Sequence, residues 1–204
     1  TEPGVAWRLW DEAQTGGLAP FPEPEIRAAD LTGLLLDCAA WGVTDPLSLR
    51  WLDLPPAGAL AAARKELEAL GALDADGRLT PLGIRLRTLP LPARLARMLV
   101  AAAGQGDERH AADIAAVLVA GGLGGASTDL DDRLAGLRRD RSPRAESMKA
   151  LAGGWARAAR AGAGKIHGSG GKTSSAALLA LAFPDRMARR RGAAGQFLLA
   201  NGRA

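Results

Sequence analysis

The chain has 204 residues, a single cysteine and a net charge of +4. One cysteine excludes a disulfide framework, and no apolar run is long enough to span a membrane, so we expect a cytoplasmic protein without membrane contacts. The charges are segregated: residues 1–132 hold 11 Lys and Arg against 19 Asp and Glu, whereas residues 133–204 hold 15 against 3. This asymmetry predicts a basic part that binds a polyanion and an acidic part that faces protein or solvent.

The N-terminal segment combines one strand-like run with a long linker. Residues 5–10, VAWRLW, alternate in polarity and predict a lone β-strand. Residues 11–30 are rich in proline, glycine and acidic residues, which is typical of an irregular linker. A lone strand followed by a linker predicts that residues 1–30 form the tail of a preceding domain.

Residues 31–91 predict a winged helix, because three helices are followed by a turn-rich segment. Asp30 is the expected N-cap of the first helix, whose inward stripe is Leu31, Leu34, Leu35 and Cys38. The remaining predicted elements are a short helix over 46–52, a helix over 57–70, a β-hairpin over 71–80 that turns at Asp76-Gly77, and a short helix from Pro81. Cys38 is expected to be a small buried side chain rather than a reactive thiol.

Residues 92–192 predict a small helical bundle with glycine-rich connections. Helices are expected over 92–103, 107–120, 129–139, 143–160 and 174–190. In the second of these helices, Ile114, Val117 and Leu118 are expected to face inward. Residues 162–175 predict an exposed and mobile loop, and residues 196–199 a strand that opens another small domain over 193–204.

No catalytic constellation emerges. Residues 168–173, GSGGKT, resemble a phosphate-binding loop, but Ile166 stands where the pattern requires glycine and no apolar strand precedes it. We therefore interpret this segment as a flexible basic loop that contacts RNA phosphate. His110 and His167 lack the spacing of metal ligands, and His110 is expected on a helix surface. The chain by itself is not expected to be an enzyme, to bind a cofactor or to hold a metal.

Nucleic-acid binding is the remaining function, and the bundle is the better surface for it. The predicted recognition helix over 57–70 carries only Arg64 and Lys65, which Glu66 and Glu68 offset, so we interpret the winged helix as a structural spacer. Arginine binds phosphate through two parallel hydrogen bonds. The candidate RNA-binding residues are Arg94, Arg97, Arg138, Arg139, Arg186, Arg189, Arg190 and Arg191.

Several segments in order resemble the bacterial DEAH-box helicases of the HrpB type. They are PGVAWRLW at 3–10, WLDLPP at 51–56, LPLPARLARML at 89–99, ALLALAFPDRMARRRG at 177–192 and QFLLANG at 196–202. In the segment 89–99, Pro92-Ala93 replaces the family's His-Pro pair, while Arg94 and Arg97 keep their places. The match is loose over 126–173.

The resemblance implies a mainly α C-terminal region of an ATP-dependent RNA helicase. It assigns residues 1–30 to the tail of the second RecA-like domain and a linker, 31–91 to the winged helix, 92–192 to a ratchet-like bundle and 193–204 to the start of an OB-like domain. The bundle would line the channel for single-stranded RNA, with DNA as the alternative, and couple strand movement to the parent's RecA-like domains. ATP and magnesium would bind in those domains, which this chain does not contain.

Two other classes of function remain open from the residues. One is a winged-helix DNA-binding regulator, which a basic recognition helix and a palindromic target would support. The other is a protein-interaction module whose arginines serve solubility, which salt-insensitive protein binding without RNA binding would support.

Overall fold

The computed structural model describes residues 3–19, 21–163, 173–192, 195–200 and 202, and these are mainly helical. The ten α-helices described are α1 (Glu12–Thr15), α2 (Glu25–Ala28), α3 (Thr32–Ala40), α4 (Ala57–Ala69), α5 (Pro81–Arg87), α6 (Ala93–Ala103), α7 (Glu108–Val119), α8 (Leu130–Arg139), α9 (Pro143–Ala161) and α10 (Ser175–Ala182). Two strands, β1 (Ala188–Arg190) and β2 (Phe197–Leu199), form one antiparallel ribbon. No helix in the described part of the chain is long and apolar enough to cross a membrane.

The predicted strand over residues 5–10 is wrong. This segment has no regular structure, and Val5, Trp7 and Leu9 are more than 80% exposed. A strand needs a neighbour to satisfy its backbone groups, and none of the described strands pairs with this segment. The linker that follows is irregular apart from the single turns α1 and α2.

Helices α3, α4 and α5 pack together as the predicted winged helix. The N-cap predicted at Asp30 is Leu31 instead, and the Thr32 amide donates to the carboxylate of Asp30, one residue earlier, at 2.9 Å. Leu35 and Cys38 are buried, whereas Leu34 is only half-buried. Burial, aided by Asp37, raises the pKa of the Cys38 thiol, as expected of an inert side chain.

Two elements of the winged helix are shorter than predicted. The helix expected over 46–52 is a single 3-10 turn, Pro46–Ser48, because the chain is already extended at Leu49. The hairpin over 71–80 turns where predicted, with Gly77 at φ 78°, but its strands reduce to one bridge between Leu73 and Leu79.

The bundle is built around α7, which contacts α6, α8, α9 and α10. The largest fully buried side chains of the bundle are Met98, Leu99, Ile114, Val117, Leu134, Leu137 and Leu178. Alanines at 96, 102, 111, 112, 115 and 116 are fully buried between them, and their small size lets the helices approach closely. The inward position predicted for Leu118 is wrong, since it is 39% exposed in the last turn of α7, next to the exposed Val119.

The helix predicted over 174–190 ends eight residues early, at Ala182. Proline disfavours helical geometry in the residue before it, and Phe183, which precedes Pro184, leaves the helix. A 3-10 turn, Pro184–Arg186, then leads into β1. The strand predicted over 196–199 is confirmed as β2, but it pairs with the arginine segment that was expected to be helical.

Candidate nucleic-acid interface

The predicted RNA-binding arginines fall on four elements. Arg94 and Arg97 lie on α6, and Arg138 and Arg139 occupy the last turn of α8, which we call the α8 pair. The C-terminal arginine group consists of Arg186 on the 3-10 turn, Arg189 and Arg190 on β1, and Arg191 directly after it.

The α8 pair and the C-terminal arginine group lie at opposite ends of α10. Arg138 lines a groove together with Ser174 and Ser175 at the start of that helix, whereas Arg186 follows its end. Eight residues of α-helix span about 12 Å. The structure therefore separates these arginines into two basic surfaces.

Arg94 is already bound by carboxylates. Its Nε and Nη2 donate to the two carboxylate oxygens of Glu66 at 2.9 and 3.1 Å, and its Nη1 donates to Asp185 Oδ1 at 2.6 Å. The same Nη1 lies 3.4 Å from the carbonyl oxygen of Ala182. Glu66 belongs to α4 of the winged helix, so this arginine joins the winged helix, the bundle and the turn after α10. We call Glu66, Arg94 and Asp185 the junction triad.

The charge of Arg94 is stabilised in the junction triad, because the partly buried guanidinium donates hydrogen bonds to two carboxylates. Burial alone would lower the pKa of Arg94, but the hydrogen bonds to Glu66 and Asp185 outweigh it and raise that pKa. The hydrogen bond from Arg94 in turn lowers the pKa of Asp185. Only 27% of the side-chain surface of Arg94 is exposed, which leaves little of its guanidinium for an outside ligand.

Arg186 differs from Arg94 in its neighbours. It is exposed, its guanidinium carbon lies 5.1 Å from the ring centre of Phe183, and the described residues place no carboxylate within ion-pair distance of it. Arg94 approaches the same ring at 5.7 Å. Phe183 thus holds the Arg186 side chain by a cation–π contact, and the guanidinium charge of Arg186 faces solvent.

Arg189, Arg190 and Arg191 are exposed on the ribbon. Arg189 pairs in register with Leu198 and Arg190 with Phe197, and the Arg191 amide closes the ribbon by donating to the Gln196 carbonyl at 3.0 Å. None of these three side chains forms an ion pair with another described residue. Successive strand residues point to opposite faces, so Arg189 and Arg190 offer guanidinium groups to phosphate on the two faces of the ribbon.

The α8 pair is also exposed, and its groove of about 670 Å³ contains acidic residues. Ser175 donates to Asp131 and lies 3.1 Å from His110 Nε2, and His110 is half-buried on α7, where it lines this groove. The packing of α10 against α7 partly buries this contact. Since the serine lies between the carboxylate and the imidazole, the order differs from that of a hydrolytic triad.

The remaining sequence predictions have different outcomes. Arg97 is half-buried, with no ion-pair partner among the described residues. The loop with the GSGGKT motif lies outside the described residues at 164–172, and His167 lies there too. Thr173, at the end of the motif, is described: its amide donates to Asp107 Oδ2 at 3.0 Å. Among the described residues no group of three or more His, Cys, Asp or Glu could hold a metal ion.

The junction triad and Phe183 were missed by sequence reasoning. Glu66 was interpreted only as a charge that offsets Arg64 and Lys65. The partners of Arg94 lie 28 and 91 residues away in the chain, so no local pattern connects them. The only local signal was the position of Phe183 and Asp185 beside Pro184, where a helix must end.

Comparisons with known proteins agree with this architecture. The model of the winged-helix "Helicase associated domain (HA2)" matches residues 63–91. The ATP-dependent RNA helicase HrpB of Escherichia coli is 38% identical over 98% of this chain, which corresponds to 23% of that protein. A crystal structure of the E. coli DExH-box NTPase HrpB superposes with a TM-score of 0.67 at 36% identity, covering 98% of this chain and 23% of the solved one.

The predicted resemblance to the HrpB-type DEAH-box helicases is confirmed. The pre-mRNA-splicing factor ATP-dependent RNA helicase prp22 of Schizosaccharomyces pombe is 36% identical over 58% of this chain and 10% of its own length. The chain is therefore similar to an accessory region of RNA helicases that includes the HA2 winged helix. It spans about a quarter of the length of the HrpB proteins that it matches.

Proposed function

We propose that this chain is the C-terminal accessory region of an ATP-dependent RNA helicase and that it binds single-stranded RNA through phosphate contacts. The observation that carries the proposal is the C-terminal arginine group, four exposed guanidinium groups within six residues that form no ion pair with a described carboxylate. Its similarity to proteins named as RNA helicases makes RNA the polyanion we favour.

The proposed role in the parent protein is to line the RNA channel and to couple strand movement to RecA-like domains that bind ATP and magnesium. The winged helix supports a protein contact of this kind. Trp41 is 84% exposed, Leu52 is fully exposed, and Leu54 and Ile84 are more than half exposed. Four large apolar side chains left exposed on one small domain favour contact with another folded domain.

The observations do not favour a winged-helix DNA regulator. In α4, Arg64 donates to the Thr44 carbonyl and Glu66 is held by Arg94, which leaves Lys65 as the only cation that these contacts do not engage. A helix that reads the major groove needs several free polar or basic side chains.

Fluorescence anisotropy of a labelled single-stranded RNA, measured across a salt series, tests the proposal. Each neutralised phosphate contributes a slope of about −0.7 to log affinity against log salt, so four contacts, which require the RNA to reach both faces of the ribbon, set a limit of about −3. Replacing Arg189, Arg190 and Arg191 by alanine should weaken binding and reduce the slope by up to about 2. The same titration with single-stranded DNA of equal length determines the preference between the two polymers.

The matched control replaces Arg27, Arg78 and Arg87 by alanine. These three arginines are exposed, and each is already ion-paired, with Glu23, Asp76 and Asp37 respectively. The control removes the same formal charge as the triple variant of Arg189, Arg190 and Arg191. It should leave the salt slope unchanged, because these arginines are held by carboxylates and are not expected to contact RNA. We call the alanine replacement of Arg189, Arg190 and Arg191 the ribbon variant. The proposed surface would be refuted if the wild-type chain does not bind RNA at low salt, or if the control loses as much binding as the ribbon variant.

A further inference from the structure

The junction triad contains a carboxylate next in the chain to Arg186, and no ion pair joins the two, although the charge of Arg186 helps to lower the pKa of Asp185. Asp185 and Arg186 are neighbours in the chain, on the same 3-10 turn. Asp185 nevertheless pairs with Arg94 at 2.6 Å, and Arg186 extends over the ring of Phe183 instead. Asp185, the nearest carboxylate in the chain that could form an ion pair with Arg186, is thus already paired with Arg94 of α6.

We propose that Arg94 is a positioning residue, which holds Asp185 away from Arg186 and thereby leaves Arg186 free to bind an RNA phosphate. The inference rests on the proposed function, because it assumes that RNA contacts the C-terminal arginine group. It assigns to Arg94 a role different from the direct phosphate contact that its sequence position predicts.

The geometry of the guanidinium group supports this role. Arginine carries its donors in a rigid fork, and here Nε, Nη1 and Nη2 all donate to carboxylate oxygens. A bidentate phosphate contact with Arg94 would displace Glu66 or Asp185, because one N–H on either edge of the fork is already donated to a carboxylate. Binding RNA by Arg186 requires no such exchange.

Glu66 extends this arrangement to the winged helix. Its two oxygens hold the Nε–Nη2 edge of Arg94, which directs Nη1 towards Asp185. The orientation of the arginine that controls Asp185 is therefore set by α4, in a domain whose own surface offers little to nucleic acid. The winged helix contributes to RNA binding through this contact rather than by touching the strand.

The two roles of Arg94 can be separated by a double-mutant cycle with Arg94→Gln and Asp185→Asn. In a positioning role, Arg94→Gln releases Asp185, which pairs with Arg186 and removes one phosphate contact. Affinity at 0.1 M salt then falls about five-fold and the salt slope decreases by about 0.7. In the Asp185→Asn background there is no carboxylate to release, so Arg94→Gln should change neither quantity.

A direct phosphate contact by Arg94 predicts the same five-fold loss in both backgrounds. That additive result would overturn the inference. Arg87→Gln is the matched control, since it removes one ion-paired arginine from the winged helix and should leave RNA affinity within two-fold in either background. Melting curves of all variants identify any loss of binding that follows from unfolding.

The outcomes also separate this inference from the proposed function. A wild-type chain that does not bind RNA overturns both. Binding with a normal salt slope, lost in the ribbon variant but unaffected by Arg94→Gln in the Asp185-containing chain, overturns the positioning role alone. Suppression of the Arg94→Gln defect by Asp185→Asn supports both.

Discussion

Gly136 in α8 offers a test of how this bundle is packed. A Cβ atom added there would lie 2.2 Å from the carbonyl oxygen of Gly124, a backbone atom of the preceding loop, whereas real Cβ atoms essentially never come within 3.0 Å of a neighbour. Replacing glycine by alanine inside a helix normally stabilises it by about 1 kcal/mol. Overpacking against a backbone costs about 1–3 kcal/mol, so we expect Gly136→Ala to lower the free energy of unfolding by up to about 2 kcal/mol and not to raise it.

The matched control is Gly154→Ala in α9, where an added Cβ meets nothing within 4 Å. This variant keeps the gain in helix propensity without the collision, so its stability should rise by about 0.5–1 kcal/mol. In a chain of this size 1 kcal/mol shifts the melting temperature by about 2–4 °C, which calorimetry or circular dichroism resolves. If Gly136→Ala melts above the wild type, as Gly154→Ala should, the close approach between α8 and the loop at Gly124 is refuted.

Three further predictions concern the core, a helix cap and the junction triad. Leu134→Ala should destabilise by about 2–5 kcal/mol in urea unfolding, because this side chain is 1% exposed. Thr80→Ala should cost about 0.5–2 kcal/mol in the same assay, since its hydroxyl accepts from the Gly83 amide at 3.0 Å. Asp185→Asn should lose at most about 1 kcal/mol at neutral pH, because Asp185 is partly solvated. Its folded pKa is lowered, so the carboxylate stabilises above about pH 4, and the difference from wild type should vanish as pH falls below that value.

The helices of the bundle were predictable because their apolar periodicity is strong and their ends carry clear signals. Ser142 caps α9, and Gly104 and Gly162 stand directly after the ends of α6 and α9. The strand predicted over residues 5–10 failed for a different reason. Alternating polarity indicates only that a segment can pair, and the partner has to come from elsewhere in the chain.

The helix predicted over 174–190 was too long because the prediction followed the apolar and basic composition and disregarded Pro184. The apolar run 177–183 and the arginines after it suggest one amphipathic helix, but Pro184 ends it and the arginines enter a β-ribbon instead. This changes the geometry of the candidate site. In a helix the three arginines 189–191 would point in three directions about 100° apart. On the ribbon Arg190 shares a face with Phe197, its cross-strand partner, and Arg189 occupies the other face.

Arg94 shows what a charge pattern in the sequence leaves undetermined. The residue lies in the segment that resembles the helicase family, and counting charges puts it in the same class as Arg186. Pairing separates them: Glu66 and Asp185 come from 28 and 91 residues away to hold Arg94, while Phe183, three residues before Arg186, holds that side chain without cancelling its charge. An arginine paired with carboxylates from other elements joins those elements together. An arginine that lies over an aromatic ring remains available to bind a phosphate. That distinction requires the tertiary fold, because each partner of Arg94 belongs to a different element.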